Sequence, residues 1–261
     1  MEIPDYTLLV AVDAKHLKQL AMTWPTWRRH KPSLLDREMV AVFDREQLSS
    51  NDVYAVVDHP RLRTTYWPPL SVTYEGGDDK WTNSQRYKML AAFVYASRHV
   101  TTPYYLKLDT DVVATGMDDW IDPQWFEDWP AIVSAPWSFT KPPDQMLKLD
   151  GWVEDCKDKL GALASQPALN LVPNPGSERL GHKRIISFCA FFNTGFSKQC
   201  ADWAEQTCGK GKLPVPSQDG FLFYAAKRLQ LGIIRPQMKA RGFAHWSTDS
   251  NVRRAAEEAM Q

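Results

Sequence analysis

Residues 104–111 read YYLKLDTD, an apolar run that ends in two aspartates one residue apart. Side chains alternate along an extended chain, so Asp109 and Asp111 project to one side and Thr110 to the other. Two carboxylates at one spot are hard oxygen ligands, suited to Mg²⁺ or Mn²⁺. A calcium loop of the EF-hand kind needs glycine at its sixth position and glutamate at its twelfth. Counted from Asp109, those places hold Ala114 and Trp120, so that use of the pair is excluded. The chain also lacks GxGxxG, GxxxxGKS/T, HExxH and GxSxG. This argues against a dinucleotide dehydrogenase, a P-loop NTPase, a zincin and an α/β-hydrolase. What survives is a divalent ion acting with a phosphorylated substrate.

The elements around the pair say where it sits. Short apolar, β-branched runs at 7–12, 39–43, 63–67 and 104–108 predict strands. Leu17, Leu20, Ala21 and Trp24 follow the first run at helical spacing until Pro25 disturbs the pattern, and a longer helix is expected over about 83–98. Alternating strands and helices imply a mostly parallel sheet with helices on both faces, whose ligand crevice lies beyond the carboxyl ends of the strands. The DTD stands at such an end. Asp13 closes the first strand and Asp44 the second, at the same edge. Either aspartate can accept from a ribose hydroxyl or a base N–H, and either can equally cap the helix that follows. Lys80, Arg86 and Lys88 flank the start of the 83–98 helix, where cations and free amides favour phosphate.

The second half predicts strands at 131–135, 185–192 and 232–235 and helices at about 197–207 and 217–230. Residues 166–184 are too long and too rich in turn formers for an ordinary connection, and read as a lid, an acceptor loop or a surface insertion. No internal repeat or linker divides the chain. We expect one domain over 1–261, with a nucleotide-binding half to about residue 115 and an acceptor half over about 116–261 sharing one sheet.

Charge narrows the partners. Lysine plus arginine (31) equals aspartate plus glutamate (31), which removes the basic footprint of a general nucleic-acid binder or a membrane-surface protein. No apolar run approaches the roughly 18 residues of a membrane span, and the opening MEIPD has neither a basic start nor an apolar signal core, so a cytoplasmic protein, or a domain cut from something longer, is expected. Four cysteines without a CxxC pair point to reduced thiols. The chain holds 11 tryptophans, whose flat faces suit stacking on sugars or bases as well as packing.

The strand-terminal DTD, the preceding KWTNSQRYKML and the later FFNTGF together resemble the GT-A glycosyltransferases, in element order over most of the chain. The resemblance implies an α/β fold of Rossmann-like type, with a mostly parallel central sheet flanked by helices and a smaller antiparallel acceptor-side part. It implies an enzyme that moves a sugar from a nucleoside-diphosphate sugar, with UDP or GDP, to a hydroxyl of a glycan or small acceptor, assisted by Mn²⁺ or Mg²⁺. Asp109 and Asp111 would hold the ion against the diphosphate, with Asp109 also near the ribose and Thr110 assigned to the donor site beside them. His245, in GFAHW, would be a further metal ligand. FFNTG implies that Asn193 lies near the donor sugar, and Arg86, Asp13 and Asp44 complete the expected donor site.

Asp219, in SQDGFLF, matches the place where an acid approaches the acceptor hydroxyl and would be the general base of an inverting reaction. Its neighbour is Gln218 where the family has a second acid, and an acid in a first helical turn is also favoured by the helix dipole alone. Trp137 and Trp152 are candidates to stack on an acceptor sugar, of which Trp137 is assigned; Trp125 and Trp129 are expected to pack. Two other readings stay open. A sugar-phosphate nucleotidyltransferase would carry a glycine-rich basic loop after the first strand, and VAVDAKHLK has no glycine. A non-catalytic carbohydrate-binding module would not need paired strand-end acids.

Overall fold

β-Branched and aromatic residues crowd the runs Tyr6–Val12 (β1), Met39–Phe43 (β2) and Tyr104–Leu108 (β4), and every residue of the three is buried. Strands buried on both faces belong inside a parallel sheet covered by helices. The computed structural model describes residues 2–66, 92–136, 185–208, 221–223, 225–226, 231–234, 242–246 and 248–261. In it β1 pairs in parallel with β2 and with β4, and β2 in parallel with Leu62–Tyr66 (β3).

The sheet continues past β4 through Ile185–Asn193 (β7), Ile132–Pro136 (β6) and Ile233–Ile234 (β8), in the order β3-β2-β1-β4-β7-β6-β8. β7 runs antiparallel to both β4 and β6, so it alone among these strands opposes the rest. Val112–Ala114 (β5) and Phe243–His245 (β9) form a separate antiparallel pair. Two apolar layers cover the faces of the main sheet. One packs Leu9, Val40, Tyr105 and Phe192 under Phe93 and Trp203; the other packs Leu8, Val10, Met39 and Leu106 under Trp24 and Trp27.

Helix α1 (Ala14–His30) supplies the second layer. It runs through Pro25, where a disturbance was expected, and ends at His30. Proline removes one backbone donor, but Trp24 and Trp27 lie on either side of it in the core, and Thr23 and Thr26 fix the same turns by side-chain bonds. Burying two tryptophans outweighs one lost hydrogen bond. Helix α2 (Ser50–Val56) was not foreseen in the polar stretch after β2, although Ser49 and Asp52 form a reciprocal capping box at its start. Helix α3 (Thr194–Cys208) is longer than expected, and α4 (Asp249–Met260) was not expected at all.

Residues 92–96 are helical, followed by a tight turn at Ser97–His99; the rest of the expected 83–98 helix lies outside the described residues. Of the two tryptophans expected to pack, Trp125 is buried while Trp129 is half exposed and stacks on Tyr104. Among the described residues no helix is long and apolar enough to cross a membrane.

Candidate metal and donor site

β4 ends at Leu108, and the chain turns at once into β5, so Asp109 and Asp111 project from the turn between two strands. His245 reaches the same place from β9, because Val112 and His245 are paired across the small sheet. One ligand atom from each of Asp109, Asp111 and His245 falls within 4.8 Å of the others. Two carboxylate oxygens and one imidazole nitrogen fit a divalent ion of the manganese or magnesium kind, with the imidazole favouring the softer Mn²⁺. Three protein ligands leave coordination positions open, as a catalytic ion requires.

The electrostatics of the cluster agree with its geometry. His245 Nε2 lies 3.3 Å from Asp111 Oδ2. Burial alone would raise the Asp111 carboxyl, but the hydrogen bond and charge of His245 outweigh it and hold Asp111 below its ordinary value. Burial would lower His245; its bond to Asp111 and the negative charges of Asp111 and Asp109 push it up instead. The ring of Phe188, from β7, stacks on the imidazole with centroids 5.3 Å apart and fixes its plane. Asp109 is held from below, where Lys107 Nζ lies 2.6 Å from its Oδ1.

A row of polar side chains on α1 fixes the turn that carries the acids. Thr110 donates to Gln19 Oε1, and Gln19 Nε2 donates to Asp249 Oδ1 at the start of α4. Thr23 donates to the Thr110 carbonyl, Thr26 accepts from the Ala114 amide, and Trp27 Nε1 donates to the Val112 carbonyl. Gln19, Thr23, Thr26, Trp27 and Thr110 are all buried and need their partners, so the ladder ties the turn to α1 at successive levels. β9 is fixed from the other side by Gly242, whose φ of +98° suits glycine. A Cβ there would stand 1.8 Å from the Thr115 carbonyl oxygen. Buried Lys31, the residue that caps the C-terminus of α1, donates to the carbonyls of Thr115 and Met117 and lies over the Phe243 ring.

No protein-family model matches the chain, and no curated protein matches it in sequence. Solved structures do. The galactosyltransferase LgtC, in complex with donor and acceptor sugar analogues, superposes with a TM-score of 0.53 over 98% of this chain and 96% of its own, at 10% identity. The mannosyltransferase Ktr4p of S. cerevisiae in complex with GDP gives 0.54 over 93% and 71%, at 10% identity. Core-mannan synthase A of Aspergillus fumigatus, in a manganese and GDP form, gives 0.51 over 92% and 74%, at 13% identity. The fold is the GT-A fold.

Within this GT-A sheet the expected residues separate. Asp109, Asp111 and His245 are brought together. Asp13 stands at the same edge and caps α1, its Oδ1 accepting from the His16 amide and lying 2.6 Å from His16 Nδ1. Asp44 accepts from the Glu46 amide and from Gln47 Nε2, and Gln47 Oε1 in turn accepts from the Ala14 amide.

Two expectations require correction. Thr110 turns into the interior, 2% exposed, because the backbone alternation that aims its neighbours outward aims it at Gln19. Asn193 pairs with Tyr104, the first residue of β4, because β7 runs antiparallel. It therefore stands at the end of the sheet opposite the DTD, where its Oδ1 accepts from the Phe196 amide at the start of α3. The β7 residue beside the acids is Phe188, whose carbonyl accepts from the Asp109 amide.

Arg86, Trp137 and Asp219 lie outside the described residues, as do Lys80, Lys88, Trp152 and the 166–184 stretch. Sequence reasoning missed Lys107, Gln19 and Phe188. Lys107 was the one with a signal, since it precedes Asp109 by two residues and so shares its side of β4.

Proposed function

We propose that this chain is a metal-dependent glycosyltransferase that uses a nucleoside-diphosphate sugar. The observation that carries the reading is the convergence of Asp109, Asp111 and His245 at the carboxyl edge of a GT-A sheet. Among the proteins of the same fold, one is described with donor and acceptor sugar analogues and one in a manganese and GDP form. A divalent ion bound by the three side chains supplies Lewis-acid stabilisation of the charge that grows on the departing diphosphate.

The chain's own residues divide the remaining work. Asp111 and His245 arrive already aligned by their mutual contact, and the Phe188 ring holds the imidazole plane. The ends of β1, β2 and β4 form the floor on which the nucleoside would lie, with Asp13 at its edge. Arg86 is assigned to the diphosphate, Trp137 to the acceptor sugar, and Asp219 to removing the proton from the attacking hydroxyl, all from sequence. The acceptor is a hydroxyl of a glycan or small molecule, and substitution at the anomeric carbon inverts its configuration if Asp219 is the base.

A thermal-shift series with UDP, GDP and their sugars, with and without Mn²⁺, tests the reading. A ligand that binds only the folded state raises Tm by mass action. We expect one nucleoside diphosphate to raise Tm only when Mn²⁺ is present, and Asp111→Asn to abolish that rise while its own melting temperature stays near the parent's. The same rise in D111N, or an equal rise in excess chelator, overturns the metal-dependent reading.

A further inference from the structure

Lys107 is a lysine with no exposed side-chain surface, set in the apolar layer beneath Phe93, whose ring centroid lies 4.7 Å from Nζ. A charge is rarely buried without a partner, because its lost hydration must be made up by a close opposite charge. Among the described residues its carboxylate partner is Asp109, 2.6 Å away, whose side chain is 30% exposed. Lys107 lies in β4 two residues before Asp109, which opens the turn after the strand, and the ammonium sits directly behind the first acid of the pair. It engages Oδ1 of Asp109, which leaves Oδ2 for a ligand in front.

Charge follows from the same contact. Two aspartates alone would offer a cation two negative charges; with Lys107 behind them the group offers one. A carboxylate's width, about 5 Å, would separate the ammonium from a divalent ion on the far oxygen, and that repulsion corresponds to about tenfold in affinity even at a water-like dielectric. A nucleoside diphosphate brings negative charge of its own and removes the deficit.

We propose that Lys107 is a positioning residue of the metal site, one that fixes Asp109 by a single oxygen and keeps the protein's own hold on the ion weak, so that tight binding requires the diphosphate. The proposal rests on the metal-dependent reading above.

Manganese binding measured by electron paramagnetic resonance on the full chain tests it without turnover. The comparison is between the parent, Lys107→Gln and Lys107→Met, each with and without inorganic pyrophosphate at matched free Mn²⁺. Gln keeps a donor near Asp109 without the charge, and serves as the principal variant should Met disturb the fold. The parent is expected to bind Mn²⁺ weakly alone and markedly better with pyrophosphate. K107Q should bind Mn²⁺ alone about tenfold more tightly, with a correspondingly smaller gain from pyrophosphate, and adding Asp111→Asn should abolish binding in either background. Unchanged or weakened Mn²⁺ affinity in both Lys107 variants overturns the proposal while leaving the metal reading intact. Absence of Mn²⁺ binding by the parent with pyrophosphate present overturns the metal reading itself.

Discussion

Four aspartates stand at the carboxyl ends of strands in this sheet, and they form two pairs with opposite surroundings. Asp13 and Asp44, after β1 and β2, are 5% and 3% exposed, and among the described residues their carboxylates bond to groups within three residues: the His16 amide and ring for one, the Glu46 amide and Gln47 amide group for the other. Asp109 and Asp111 are more open, and their partners are a cation from within the sheet and a histidine from a distant strand. Sheet topology brings all four to one edge, so position at that edge does not distinguish a cap from a ligand. The partners do: a cap spends its oxygens on the next turn of its own chain, whereas Asp109 and Asp111 meet His245 at a common point.

The comparison breaks most visibly at Asp109, which belongs to both kinds. Removing it by Asp109→Ala leaves the Lys107 charge buried beside Phe93 without this carboxylate, a loss of about 3 kcal/mol of stability on the usual scale for a broken buried pair. Asp111→Ala, whose partner His245 can give up its proton, should cost much less. Urea denaturation of both variants checks the order. The double variant K107M/D109A is expected to recover most of the loss, because the buried ammonium that needed the carboxylate is removed with it. If D109A and D111A lose the same stability, Lys107 does not depend on Asp109 as the structure implies.

A smaller effect sharpens the other pair. Asp13→Ala removes the acceptor for the His16 amide at the start of α1, and the loss of such a cap is about 1 kcal/mol. Asp13→Asn keeps an acceptor and should recover most of it. The same denaturation measurement applies, and a D13A chain as stable as the parent would mean that the capping bond contributes nothing and that Asp13 is kept for a ligand.

Much of this was legible in the sequence, for identifiable reasons. Strands β1 and β2 announced themselves as apolar runs and β4 as one interrupted by Lys107, and the DTD could be placed at a strand end because the run stops at Leu108. The Asp109–Asp111–His245 cluster was reachable in part: alternation put Asp109 and Asp111 together, while His245 came from the family resemblance and was joined to them in the structure by the β5–β9 pairing. That pairing escaped because three-residue strands leave no periodic signal. Asn193 was misplaced because its segment was read without strand direction, and an antiparallel β7 carries the residue to the far edge. Helix α2 was hidden by its polar composition, although Ser49 and Asp52 spell a capping signal.

The two halves of the molecule also differ in how they use histidine, and this gives the smallest and most specific effect. Among the described residues a ring nitrogen of His245 contacts Asp111, and the ring is partly open. His59, between α2 and β3, is closed in on both sides: Nδ1 accepts from the Arg61 amide, and Nε2 lies 3.1 Å from the Leu34 carbonyl, to which it must donate. Burial pushes its pKa below the ordinary value, the Leu34 carbonyl opposing and the Arg61 charge reinforcing the shift. The folded chain therefore binds a proton at His59 less readily than the unfolded chain does. Stability from this group is fully present above the unfolded value of about 6.5 and declines as pH falls from there toward the lowered folded value. His99 is shifted the same way and adds to the same window, so the test is a difference. Urea midpoints of the parent and of His59→Asn, followed from pH 7.5 to pH 5, should converge as the pH drops, because asparagine has no proton to gain. Parallel pH profiles for the two chains would show that His59 is as easily protonated in the fold as outside it.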